Sequence, residues 1–224
     1  MATTLYLRNM TTNAANSGST YKDLLAASGV AATSDTINTT ASGTEILLQS
    51  FISGRCPVGG IANIGAITLN LYALESNTAA NATVGARFYK RTPAGVETEL
   101  LSTGRVNDDL ELGNAVAIAN WVFTPNQNRV FAEDDRLVCK IYASNFGTMA
   151  AGRTVTLQYN NGTASPNGSN IVLTETLTFK AEPANTYVRV GGVWKPAAVQ
   201  VKNAGVWKIP VGKFVKTGGV WKPA

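Results

Sequence analysis

From Glu45 onward, the chain alternates between apolar and polar positions with a period of two, which is the pattern of strands that bury one face. The clearest segment buries Ile67, Leu69, Leu71 and Ala73. Similar segments lie at 84–89, 137–143, 155–159 and 173–179, and further strands are predicted at 46–53, 96–102 and 119–124. Turn-forming stretches such as Thr92-Pro93-Ala94-Gly95 separate them, and none of the segments has the period of an amphipathic helix. The pattern predicts an all-β fold, a jelly-roll-like β-sandwich over residues 45–182.

The first 44 residues have a different pattern. Between about residues 9 and 43 the chain is mostly Thr, Ser, Ala, Asn and Gly, with only scattered large apolar side chains. Such a segment buries little core of its own, so we expect residues 1–44 to form an extended N-terminal strand and arm. A short helical turn at residues 21–25 is the alternative for that stretch.

Composition changes again near Glu182-Pro183. Residues 1–186 carry 12 Lys and Arg against 14 Asp and Glu, whereas residues 187–224 carry seven basic residues and no acid. Three of the four tryptophans also lie beyond this point, and the net charge of +5 comes from it. We therefore predict a separate C-terminal region at 183–224.

This C-terminal region contains a threefold repeat. Val188-Arg189-Val190-Gly191-Gly192-Val193-Trp194-Lys195 recurs at 201–208 as VKNAGVWK and at 215–222 as VKTGGVWK. Each copy has a Gly-containing turn between two β-prone segments, and a proline follows each of them, at Pro196, Pro210 and Pro223. The pattern predicts three short β-hairpins.

Each hairpin is too small to fold alone, since one indole cannot offset the entropy lost in ordering a unit of 13 or 14 residues. The repeats must pack on each other, on the sandwich or on neighbouring subunits. We predict that assembly uses one Trp and the preceding Val from each copy: Trp194, Trp207, Trp221, Val193, Val206 and Val220. Ordinary packing within a small core and sugar stacking by exposed indoles are the alternatives for the tryptophans. Protection of strand edges explains the lysines more simply than nucleic-acid binding does.

Candidate chemistry is sparse. The chain has no histidine, and Cys56 and Cys139 lie 83 residues apart without a metal-binding motif, so we expect two small buried thiols, with a disulfide as the alternative. The acidic clusters 108–111 and 133–135 lack the spacing of a calcium loop, and we interpret them as solvated turns. The start lacks a secretion signal and no apolar run is long enough to span a membrane. We predict no enzymatic activity, no cofactor, no metal and no membrane partner.

The repeats resemble those that end many tail and virion proteins of tailed bacteriophages. The main domain also resembles phage virion proteins of jelly-roll type, and the residues that carry this likeness lie at 5–9, 71–77 and 145–156. The resemblance implies a structural protein of the virion, and capsid decoration, neck and tail appendage all remain open.

Two functions are therefore expected from the sequence. In the first, the protein is a non-enzymatic structural component of a virion that forms a homo-oligomer, for which we expect a trimer, in contact with neighbouring virion proteins. In the second, it is a host-recognition module that binds a surface glycan through the loop from Tyr159 to Asn170 or through the tryptophans.

Overall fold

A computed structural model describes residues 2–11, 21–25, 33–39, 45–61, 63–77, 81–103, 106–107, 112–145, 153–159, 168–180, 186–190, 193–197, 201–203, 206–208, 214–217 and 220–223. The chain divides into two compact units, Met1–Glu182 and Pro183–Ala224. Across those described ranges all the regular elements are β-strands, which confirms the predicted all-β class.

The first unit contains, in its described part, the following strands: β1 (Thr3–Thr11), β2 (Tyr21–Leu25), β3 (Thr33–Thr39), β4 (Ile46–Ser53), β5 (Ile67–Glu75), β6 (Ala82–Arg91), β7 (Glu97–Glu99), β8 (Val106–Asn107), β9 (Ala117–Phe123), β10 (Arg136–Asn145), β11 (Arg153–Tyr159) and β12 (Asn170–Leu173). Most predicted segments coincide with these strands. The segment 173–179 does not, because β12 ends at Leu173.

The strands form two antiparallel layers. Sheet I has the order β3-β11-β5-β9, and sheet II has the order β4-β10-β6 with both β7 and β8 on β6. Strands β3 to β6 alternate between the two sheets as the chain proceeds, and so do β9 to β11. This alternation is the wiring of a jelly roll, so the prediction of a jelly-roll-like sandwich is confirmed.

The N-terminal segment is built into this sandwich. Strand β1 pairs with β12 from Thr3 to Tyr6 and with β2 beyond that, while β2 runs parallel to β4. Hydrogen bonding therefore continues from sheet I through β12, β1 and β2 into sheet II. The described part of residues 1–44 consists of the strands β1, β2 and β3, and residues 21–25 form a strand instead of the alternative helical turn. A strand needs few large apolar residues when only one face is buried, and in β1 Leu5 and Leu7 suffice.

The core lies between the inner faces of the two sheets. Strand β5 shows the rule: Ile67, Leu69, Leu71 and Ala73 are buried, whereas the residues between them are half-buried. The opposite sheet contributes Phe51, Phe88 and the inward positions of β10 to the same cluster. Apolar alternation in the sequence therefore predicted the contribution of the strands after Glu45 to this core.

The second unit consists, in its described residues, of three hairpins. They are β13 (Thr186–Val190) with β14 (Val193–Ala197), β15 (Val201–Asn203) with β16 (Val206–Lys208), and β17 (Phe214–Thr217) with β18 (Val220–Pro223). Each pair is antiparallel and forms a two-stranded sheet of its own. The predicted repeat of short hairpins is confirmed.

Candidate functional site

The predicted assembly residues occupy equivalent places in the three hairpins. In each hairpin the Trp is paired with a basic residue of the preceding strand: Trp194 with Arg189, Trp207 with Lys202, and Trp221 with Lys216. The preceding Val is paired with the last residue of that strand: Val193 with Val190, Val206 with Asn203, and Val220 with Thr217. The backbone thus repeats one register three times, and the role of these six residues in assembly stays a prediction.

The outer face of sheet I carries a row of asparagine side chains. Asn120 of β9 donates from Nδ2 to Oδ1 of Asn70 in β5, and Asn70 donates in turn to Oδ1 of Asn170 in β12 at 2.9 Å. The Nδ2 of Asn170 donates to the carbonyl of Gly168 at 2.8 Å. On the far side of β12, Asn170 is paired with Tyr6 of β1. We call Asn120, Asn70, Asn170 and Tyr6 the amide row.

The rows on either side of the amide row are also uncharged. Val122 is paired with Thr68, and Ile118 is paired with Tyr72, which pairs in turn with Gln158 of β11. Ile118 and Val122 are 53% and 68% exposed, whereas the residues nearer the middle of the sheet are half-buried. The charged side chain of Arg8 in β1 lies at the border of this face. Among the described side chains, the centre of the face presents only amide, hydroxyl, phenol and aliphatic groups.

Sheet II presents the opposite character on its outer face. The carboxylate of Glu97 on β7 accepts hydrogen bonds from Arg91 at 3.1 Å, from Lys140 at 2.6 Å and from the Tyr21 hydroxyl. Lys140 also lies 4.6 Å from the centre of the Tyr89 ring. Burial opposes ionisation of Glu97, but the hydrogen bonds from Lys140 and Tyr21 and the nearby positive charges outweigh it and lower its pKa below the ordinary 4.5. Through these hydrogen bonds, Glu97 of β7 links the side chains of β2, β6 and β10.

The same face continues with a second ionic contact. Arg87 of β6 bridges Glu45 at 2.8 Å and Glu99 at 3.2 Å, and its guanidinium lies 5.7 Å from the centre of the Tyr142 ring. The hydrogen bond that Arg87 donates to Glu45 is the main reason that the pKa of Arg87 is raised. Fixed charges of both signs thus cover the outer face of sheet II, whereas the described side chains at the centre of sheet I's outer face include no charged group.

The acidic cluster 133–135 is engaged within the protein. Asp134 lies 3.3 Å from Arg55 and 2.9 Å from Lys180, and Lys180 also contacts Glu133. The hydrogen bond from Lys180 lowers the pKa of Asp134. Asp135 is buried and accepts the Ala132 N–H at 2.8 Å, so this residue is not the solvated turn acid that we expected. The other cluster, 108–111, lies outside the described residues, and among those described no group of acidic or sulfur side chains is placed to hold a metal ion.

Both cysteines are buried free thiols. Burial raises the pKa of Cys56 to about 12, and Asp135 adds to the effect. Burial also raises the pKa of Cys139, which lies in the main core. Because the thiolate is the reactive form, neither side chain is a nucleophile at neutral pH.

The sequence did not single out the amide row, since its members come from four strands far apart in the chain. A weak signal was present, because Asn is depleted in strands, yet Asn70, Asn120 and Asn170 all lie in or beside apolar strand patterns. The loop 160–167, within the glycan-binding stretch considered above, lies outside the described residues. So far as the structure describes the chain, it has no helix able to cross a membrane.

No protein-family model matches the chain, and no curated protein matches it in sequence. Solved structures do resemble it in fold. An aminopeptidase from the marine sediment archaeon Thaumarchaeota archaeon superposes with a TM-score of 0.52 at 9% identity, over 77% of this chain and 36% of that one. At these values the likeness supports the fold alone.

Two further structures superpose less well. A CocE/NonD family hydrolase from Staphylococcus aureus gives a TM-score of 0.49 at 12% identity, over 77% of this chain and 36% of its own. The structure of the infectious bursal disease virus Gx strain gives 0.34 at 13% identity, over 65% of this chain and 36% of that one. The matched part of this chain thus spans about a third of the length of each of these solved chains. The strand order itself defines a jelly-roll-like β-sandwich protein that continues into hairpin repeats.

Proposed function

We propose that the protein is a non-enzymatic structural component of a tailed-phage virion and assembles there as a homo-oligomer, a trimer, in contact with neighbouring virion proteins. It would serve as a capsid decoration or as a component of the tail or neck. The observation that carries the proposal is the set of three hairpins with one register, each of them a two-stranded sheet of its own. An isolated two-stranded hairpin is marginally stable in water, so these units need burial against further protein surface.

Symmetry explains why an oligomer suits such units. In a closed ring every subunit offers the same surface to its neighbour, and no copy of that surface remains unpaired. Each repeat supplies one Trp and one Val for this purpose, and the resemblance of the repeats to the ends of phage tail and virion proteins supports the assignment to a virion.

The chemistry of the described residues supports a non-catalytic role. The two thiols are buried and protonated, and the carboxylates of Glu97 and Asp134 are held by cationic side chains. Buried thiols and paired carboxylates of this kind maintain the fold, and we assign no reaction to them.

Light scattering coupled to size exclusion tests the assembly. A triple-Trp variant replaces the Trp of each repeat by Ala, and a matched control replaces the Lys that follows each Trp. We expect the native chain and the Lys control to form trimers and the triple-Trp variant to be monomeric with an unchanged sandwich by circular dichroism. A monomeric native chain, or a triple-Trp variant that remains trimeric, contradicts the proposal.

The assignment to a virion needs a separate measurement. Mass spectrometry and antibody-labelled electron microscopy of purified particles should find the protein in fixed copy number at one location. Particles that lack it would rule out the structural role even if the purified protein is a trimer.

A further inference from the structure

We propose that the outer face of sheet I is a binding site for a neutral glycan, which lies along the amide row of Asn120, Asn70, Asn170 and Tyr6. This inference goes beyond the assembly role, because it rests only on residues of the first unit. It also places the site on the face of a sheet, whereas the sequence pointed to a loop or to the tryptophans.

The first argument is the preorganisation of the amides. The side chains of Asn120, Asn70 and Asn170 are hydrogen-bonded head to tail in one direction, which fixes the orientation of each amide. An amide has two N–H donors and a carbonyl oxygen with two acceptor sites. In Asn70 the row uses one donor and one acceptor site, so one of each remains for a ligand. Groups that are already held in place lose little entropy when they bind, which favours affinity.

The second argument is charge. The centre of this face lacks charged side chains among the described residues, whereas the outer face of sheet II is covered by Arg87, Arg91, Lys140 and Glu97. Nucleic acids and acidic polysaccharides are recognised by cationic groups, which the amide row does not offer. A ligand rich in hydroxyl groups and without charge can pair with amides and hydroxyls at no cost of burying an ion.

The third argument is the arrangement of the apolar groups, which separates a glycan from a second copy of the chain. Protein interfaces have an apolar centre with a polar rim. Here the centre is the polar Asn70, and the most exposed apolar groups, Ile118 and Val122, lie on β9, which in the described residues is an edge strand of sheet I. This order is the reverse of a subunit interface. The C–H faces of sugar rings can pack on these aliphatic groups and on Tyr6 and Tyr72, while their hydroxyls reach the amides.

The test uses the full-length protein and immobilised polysaccharides. The neutral probes are dextran, laminarin and galactomannan, and the charged probe is alginate. We expect at least one neutral probe to bind and alginate not to bind. Asn120→Ala, at the exposed end of the row, and Asn70→Ala should each weaken binding of that probe at least tenfold. Asn126→Ala is the matched control, since Asn126 is exposed and bonded to Ser102 away from the row, and it should bind as the native chain does.

Several results would overturn the inference. Binding that is equal in Asn120→Ala and Asn126→Ala would place the ligand elsewhere on the protein. If none of the three neutral probes binds, a neutral glycan is not the ligand. Loss of oligomerisation in Asn120→Ala without loss of fold would make this face a contact between copies of the chain. The assembly proposal fails on a different result, a native chain that is monomeric, so the two are tested separately.

Discussion

Ser169 offers a sharp test of how the sandwich is held together. Strand β5 changes its partner along its length, from β12 at Ile67–Asn70 to β11 at Tyr72–Glu75. Ser169 lies at this change and is fully buried. Its Oγ accepts the Tyr72 N–H at 2.9 Å and donates to the Gln158 carbonyl at 2.5 Å, while its own carbonyl accepts the Leu7 N–H at 3.1 Å. The hydroxyl thus replaces the ladder bonds that are lost where the partner changes.

Ser169→Ala keeps the backbone contact with Leu7 but removes both bonds of the hydroxyl. Two backbone groups, one donor and one acceptor, are then left without these bonds. A buried polar group without a partner costs about 1–3 kcal/mol. We therefore expect a loss of roughly 2–6 kcal/mol in the free energy of unfolding, which for a unit of this size lowers Tm by about 4–24 °C.

Urea denaturation and differential scanning calorimetry measure this loss. Ser102→Ala is the matched control, because Ser102 is exposed and its hydroxyl accepts only from Asn126 at 2.8 Å in the described contacts. The control should change stability by less than about 0.5 kcal/mol. If Ser169→Ala is no more destabilising than the control, the hydroxyl does not stabilise the point at which β5 changes its partner.

Three other outcomes are expected. Cys56 and Cys139 should react with a thiol reagent at pH 7 only after unfolding, because burial raises both pKa values; rapid labelling of the native chain would contradict their burial. Glu97→Gln should cost about 1–2 kcal/mol at pH 7, and the difference from the native chain should shrink as the pH falls below 4.5, since the lowered pKa stabilises the fold only while the carboxyl is ionised; a difference independent of pH would refute this. Gly60→Ala should destabilise by about 1–3 kcal/mol more than Gly59→Ala, because both glycines have positive φ but only at Gly60 would a Cβ lie 2.2 Å from the Phe131 carbonyl; equal thermal shifts would argue against that contact.

Features that are determined by one short segment of the chain could be predicted from the sequence. The buried positions of β5 follow from its own alternation, and the three hairpins follow from residues that pair with neighbours a few positions away. In both cases the determining contacts are local or repeat visibly in the sequence.

Features that depend on distant pairing could not be predicted. Asn70 meets Asn120 and Asn170 across 50 and 100 residues of sequence, and the register that aligns them is set by the whole sheet. Strand β1 likewise finds its partner β12 more than 160 residues away, a pairing that the sparse apolar pattern near the N-terminus does not indicate. The sequence reports which residues suit a strand but not which strand lies beside it.

The contacts of Lys180 have a mechanical consequence for the end of the first unit. Its backbone N–H is bonded to the Arg55 carbonyl at 2.9 Å, and its amine holds Glu133 and Asp134. Tension applied to the chain beyond this point, for example by a load on the repeats, therefore acts on these contacts before it reaches β12.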